Sequence, residues 1–98
     1  MEEPLRILIA DDESIIRMDL RQILESMEHE IAGEASDGER ALKLARALKP
    51  DLCILDIKMP KLTGLEVAEA LTKEGIAPVI LLTAFTDKKF IQKAKEAG

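Results

Sequence analysis

Aromatic residues are almost missing from this chain. It has no tryptophan and no tyrosine, and its two phenylalanines are Phe85 and Phe90. Without aromatic faces there is no platform on which single-stranded bases could stack. An excess of basic charge is missing too: 14 Lys and Arg stand against 19 Asp and Glu, for a net charge of −5. A duplex-binding domain needs a basic patch, and this balance argues against one. The single cysteine, Cys53, cannot staple the chain, and a thiol inside the apolar run Leu52-Cys53-Ile54-Leu55 fits a reducing cytoplasm. The only histidine, His29, lies between Glu28 and Glu30 with no second His or Cys nearby in sequence, so a solvent-facing role is expected rather than metal binding. No apolar run approaches the roughly 20 residues that cross a bilayer. The acidic start Met1-Glu2-Glu3-Pro4 predicts no secretory signal. Neither G-x-x-x-x-G-K-[ST] nor G-x-G-x-x-G occurs, so no nucleotide cradle is predicted.

What the chain does contain is enough for one domain, spanning 1–98. Hydrophobic residues make up 47% of its 98 residues and charged residues 34%, which supplies a core and a wetted surface. Four apolar runs read as strands: Leu5–Ala10, Glu30–Ala35, Asp51–Leu55 and Pro78–Thr83. Helical spacing fills the gaps. In Glu13–Met27, Ile16, Leu20, Ile23, Leu24 and Met27 recur at steps of three and four and paint one apolar stripe. A second helix follows Asp37-Gly38, with Asp37 as its cap, buries Ala41, Leu44, Ala45 and Leu48, and ends before Pro50. A third carries Leu65, Ala68 and Leu71 and stops at Gly75. A fourth is predicted after Phe85, with Thr86 or Asp87 as cap and Phe90, Ile91, Ala94 and Ala97 on its apolar side. Met18, Met27 and Met59 read as packing residues. The alternation of strand and helix, with Ile7-Leu8-Ile9 and Leu52–Leu55 apolar on both faces, predicts an α/β doubly wound parallel sheet with right-handed crossovers.

In such a sheet, ligands bind beyond the carboxyl ends of the strands. The first strand ends in Asp11-Asp12-Glu13, the third in Asp56-Ile57-Lys58 and the fourth in Thr83-Ala84. Carboxylates gathered without a base repel one another, so Asp11, Asp12 and Asp56 make sense as a site for a hard cation. Mg²⁺ takes oxygen ligands from one or two carboxylates plus a phosphate. A carboxylate can also attack a phosphoryl group, and Asp56, alone at the end of its strand, is the best nucleophile. The Thr83 hydroxyl and the Ala84 N–H can donate to phosphoryl oxygens. Lys58 taken by itself would be a solvated loop lysine.

These residues carry a resemblance over almost the whole chain. Ile7-Leu8-Ile9-Ala10-Asp11-Asp12-Glu13 with Arg17, Gly38 with Ala41-Leu42, Pro50-Asp51-Leu52, Asp56-Ile57-Lys58-Met59-Pro60, Gly64-Leu65-Glu66 and Leu81-Leu82-Thr83-Ala84 resemble the receiver domain of two-component response regulators. The resemblance implies the flavodoxin-like (CheY-like) fold, with strand order 2-1-3-4-5. It implies phosphorylation of Asp56 by a sensor histidine kinase. It also implies Mg²⁺ held by the Asp12 and Asp56 side chains and the Lys58 backbone carbonyl, with Asp11 assisting through water, and Thr83 as the switch hydroxyl. Ile15–Leu20, Ile31–Ala35 and Thr83–Phe85 look most like antitermination regulators of the ANTAR type, whose output is an RNA-binding helical domain. The family's fifth strand, which bears a lysine, and its fifth helix have no counterpart before Gly98. The expectation is a receiver stopping short of both, ordered 2-1-3-4, with an exposed fourth-strand edge open to self-association. Two rival readings remain. One is a receiver-like interaction module that carries no phosphate. The other is a Mg²⁺-dependent phosphohydrolase, against which stands Lys58 at the position where such enzymes place an acidic group.

Overall fold

A computed structural model describes residues 4–82. Within them the order is β1 (Arg6–Ala10), α1 (Ser14–Ser26), β2 (Glu30–Ala35), α2 (Gly38–Leu48), β3 (Leu52–Asp56), α3 (Gly64–Glu74) and β4 (Val79–Leu82). Every described strand pair is parallel, and the sheet runs β2-β1-β3-β4. The flavodoxin-like order expected from the sequence is therefore present. The predicted fourth helix lies outside the described residues.

β1 is central and apolar on both faces. Leu8 and Ala10 pack with Ala41, Ala45, Val67 and Leu71 of α2 and α3, while Ile7 and Ile9 pack with Leu24 of α1. Two helices thus cover one face and α1 the other, as burial of a parallel sheet requires. Boundaries differ from expectation by one residue. β1 opens at Arg6 rather than Leu5, and β3 runs Leu52–Asp56 rather than Asp51–Leu55. Asp51 stays out of β3 because its carboxylate accepts the Arg6 N–H at 2.8 Å, and its own N–H donates back to the Arg6 carbonyl. The Arg6 guanidinium reaches on to the Leu48 carbonyl at 3.1 Å, satisfying an end of α2.

The helix ends follow capping chemistry. Asp37 accepts the Arg40 N–H at 2.7 Å, as predicted. Thr63 and Glu66 form a reciprocal capping box on α3, and Gly75 ends that helix at φ 65°.

Two expectations fail. Met18, Ile23 and Met27 were expected to pack, yet each is more than half exposed, and only Met59 of the predicted packing methionines is buried. The apolar stripe of α1 is wider than the surface the described sheet offers it, so Leu24 is buried and its neighbours on the flank are not. His29 is not a purely solvent-facing residue. It is half-buried, and its Nδ1 accepts the Leu5 N–H at 3.0 Å, tying the entry of β1 to the start of β2.

One irregularity was invisible in the sequence. The β1–β2 register steps from Ile7↔Ile31 to Leu8↔Gly33, leaving Ala32 as an extra residue in β2. A one-residue bulge reverses which face each later side chain takes. Ile31 accordingly packs with the α1 side of the sheet, Gly33 meets Leu44 and Leu48 of α2, and Glu34 returns to the α1 side.

Candidate functional site

The carboxyl ends of β1 and β3 deliver the acidic residues to one place. Carboxylate oxygens of Asp11, Asp12 and Asp56 all lie within 4.8 Å of one another. Asp11 is buried, Asp56 half-buried and Asp12 exposed, so the cluster opens to solvent on the Asp12 side. Thr83 and Ala84 lie outside the described residues.

Asp11 is held at three points. Its N–H donates to the Ala35 carbonyl at 3.0 Å, its carboxylate accepts the Glu13 N–H at 2.8 Å, and its carbonyl accepts from Arg17 Nη1 at 2.6 Å. Asp56 is held from behind. The Gly64 N–H donates to the Ile57 carbonyl at 2.9 Å, and a Cβ at Gly64 would overlap the Asp56 carbonyl oxygen. A Cβ at Gly38 would overlap the Leu62 carbonyl oxygen, and the Gly38 N–H donates to the Pro60 carbonyl. The segment that follows Asp56 is therefore clasped by the N-termini of α2 and α3, each through a glycine that permits backbone-to-backbone approach.

Burial pushes the Asp56 carboxyl above its ordinary value, and the charges of Asp11 and Asp12 push it the same way; the N–H groups of Lys58 and Ile57 pull it partly back. Burial likewise raises Asp11, opposed by the Glu13 N–H and the Arg17 charge. Both groups hold protons more readily in the folded chain than in the unfolded one. Their charged forms oppose folding, so the stability they allow at low pH is lost as pH rises through the raised values. An oxygen-only set of mutually repelling carboxylates, partly desolvated, fits a small hard cation, which relieves that repulsion.

The comparisons agree with the geometry. Residues 7–98 match the response regulator receiver domain model. This chain belongs to the response regulator receiver family. The transcriptional regulatory protein PdtaR of Mycobacterium tuberculosis is 46% identical over 95 residues, covering 97% of this chain and 46% of PdtaR. The chain thus spans about half the length of that relative. Among solved structures, the receiver domain of the response regulator NarL from Mycobacterium tuberculosis superposes with a TM-score of 0.90 at 31% identity, over 99% of this chain and 80% of that one. CheY in a CheX–CheY–BeF₃–Mg²⁺ complex from Borrelia burgdorferi gives 0.85 at 29% identity, over 97% and 73%. Receiver domains bind Mg²⁺ at an acidic pocket, interact with histidine kinases and phosphatases, and are mostly not enzymes themselves. This receiver has the acidic cluster in the expected place. Among the described residues, no helix is long and apolar enough to cross a membrane.

Sequence reasoning found all three carboxylates. Arg17, Gly64 and Glu34 stand in the sequence only as members of motifs, with no role predicted for any of them. Gly64 sits three residues after a Pro-Lys turn and beside a capping threonine, a signal that a helix starts hard against the preceding strand. Glu34 gave no signal, because its facing depends on the bulge.

Proposed function

We propose that Asp56 is the phosphoacceptor of this receiver, and that Asp11, Asp12 and Asp56, with the Lys58 backbone carbonyl, hold Mg²⁺ beside it. The observation that carries the proposal is the convergence of three carboxylates within 4.8 Å at the ends of β1 and β3. When bound, Mg²⁺ supplies positive charge that offsets the negative oxygens of a transferring phosphoryl group. Asp56 is the nucleophile because its backbone is clasped by the N-terminus of α3 while its carboxylate, only half-buried, joins the acidic cluster. One Asp56 oxygen forms a bond to phosphorus as the P–N bond of a kinase phosphohistidine breaks, and the imidazole nitrogen keeps the electron pair and takes a proton. The Thr83 hydroxyl and the Ala84 N–H receive the phosphoryl oxygens and carry the signal onward. The similarity to CheY in a complex with BeF₃ and Mg²⁺ supports this reading.

The output we propose is control of transcription in the cytoplasm, on the strength of the likeness to PdtaR, through an RNA-binding antitermination module of the kind the sequence resembles. Two measurements test the core of the proposal. Mg²⁺ binds the folded pocket and not the unfolded chain, so a concentration about 100 times its Kd raises stability by about 2.7 kcal/mol. Melting curves in EDTA and in excess Mg²⁺ read this directly, and coincident curves remove the cation site. Acetyl phosphate with Mg²⁺ should add one phosphoryl group, seen by intact mass and lost in hydroxylamine. A chain that stays unlabelled supports the interaction-module reading, and continuous release of phosphate from an ester would point to a hydrolase.

A further inference from the structure

Arg17 and Glu34 lie beside the acidic pocket and are not among the carboxylates that form it. Arg17 Nη1 donates to the Asp11 carbonyl at 2.6 Å, and Arg17 Nε lies 3.4 Å from Glu34 Oε1. The other Glu34 oxygen pairs with Arg21 Nη2. The Arg17 and Glu34 side chains are only 20% and 25% exposed, so this is a covered pair, with Arg21 closing it on the solvent side. Glu34 reaches α1 only because the extra residue at Ala32 turns it to that face; in unbroken register it would face α2. A parallel ladder rarely carries such a bulge. Here it places a carboxylate beside the guanidinium that holds the Asp11 backbone.

We propose that Arg17 is a positioning residue for the acidic pocket, and that Glu34, presented by the β2 bulge, holds Arg17 in place. The proposal rests on the reading that the pocket takes Mg²⁺. The Asp11 carbonyl is the backbone group directly before Asp12, whose side chain is exposed and meets the Asp11 side chain. Fixing that carbonyl fixes the direction in which the chain leaves β1, and with it the spacing of Asp11 and Asp12 from Asp56. A planar fork suits the task, because one guanidinium meets a carbonyl and a carboxylate at once; an ammonium keeps the charge without that geometry.

Charge and position make opposite predictions here. A cation close to the pocket repels Mg²⁺, so if Arg17 acted through charge alone, Arg17→Gln would tighten Mg²⁺ binding. If Arg17 positions the ligands, the same substitution weakens it. Groups that orient metal ligands from behind typically contribute ten- to a hundredfold in affinity, and we expect about a tenfold loss. Glu34→Gln should weaken binding in the same direction but less, and Arg17→Lys should recover only part of the loss. The double variant should be no worse than Arg17→Gln alone, because Glu34 acts through Arg17. Titration calorimetry with MgCl₂ on the 98-residue chain and these variants reads all four. Tighter or unchanged binding in Arg17→Gln overturns the proposal, as do additive losses in the double variant.

A metal-free measurement separates this proposal from the reading beneath it. In EDTA, Arg17→Gln and Glu34→Gln should both speed hydrogen exchange at the Glu13 amide, which donates to the Asp11 carboxylate. Unchanged exchange at that amide overturns the positioning role. A parent chain that binds no Mg²⁺ sinks the proposed function instead, and leaves the amide measurement to decide whether Arg17 orders the loop.

Discussion

Asp56→Asn is expected to abolish labelling by acetyl phosphate and, in EDTA, to melt at a higher temperature than the parent. The two effects have one origin. Asp56 carries a charge that burial disfavours and that Asp11 and Asp12 repel. Asparagine keeps the shape, removes the charge and cannot form an acyl phosphate. Relief of such a conflict at a functional site commonly yields about 1 kcal/mol. For a domain of this size that amounts to roughly 4–8 °C in melting temperature. The gap between variant and parent should depend on pH. Well below the ordinary carboxylate value Asp56 is protonated in both folded and unfolded chains, so the gap should be small; it should open as pH rises through that value, where the unfolded chain ionises ahead of the folded one, and be complete above the raised folded value. Melting in EDTA across that range checks the sign. A gap that narrows with rising pH would mean Asp56 is better accommodated as an anion than its surroundings imply. Mg²⁺ should stabilise the parent far more than the variant, reversing their order. Labelling that persists in Asp56→Asn moves the acceptor to another side chain.

Gly64→Ala should cost much of the domain's stability. Gly64 is needed for space, not for an unusual backbone angle: a Cβ there would overlap the Asp56 carbonyl oxygen and press on Ile57 Cα at 3.0 Å. Both are backbone atoms, at the end of β3 and one residue beyond it, and cannot swing aside as a flexible side chain can. Either α3 lifts off the sheet, carrying the buried Val67, Ala68 and Leu71 with it, or the Asp56 backbone shifts. Overpacking of this kind costs about 3 kcal/mol, equivalent to roughly 15 °C in melting temperature. Whatever fraction folds should bind Mg²⁺ more weakly, because Asp56 has moved. Gly75→Ala supplies the control. Gly75 has φ 65° with nothing within 4 Å of a new Cβ, so its cost is that of a left-handed alanine, about 1 kcal/mol. If Gly64→Ala proves no more costly than Gly75→Ala, the clasp behind Asp56 is not what requires glycine.

How far these features could be read beforehand depends on the kind of signal each one leaves. β1 and β3 were legible because strands buried on both faces read as unbroken apolar runs. α2 and α3 were legible because Asp37 and Gly75 leave capping signals at fixed offsets from the apolar positions. The acidic cluster followed from strand ends alone. The exposure of Ile23 and Met27 could not be read, since periodicity gives the direction of an apolar stripe and not the width of the surface that covers it. His29 was misjudged because its partner is a backbone N–H contributed by Leu5, which no side-chain motif announces. The bulge at Ala32 has no mark in Glu30–Ala35, where small and half-buried residues fit either register, and the Arg17–Glu34 pair was hidden with it.

Cys53 lies fully buried within β3, and burial pushes its thiol up to about 11. An alkylating reagent needs both access and thiolate, and the closed sheet offers neither. Modification can proceed only from excursions in which β3 parts from its neighbours, so its rate measures how often the molecule opens. A chain without tryptophan or tyrosine thereby carries its own chemical clock, three residues from the phosphoacceptor we propose, and anything that seals the pocket should slow it.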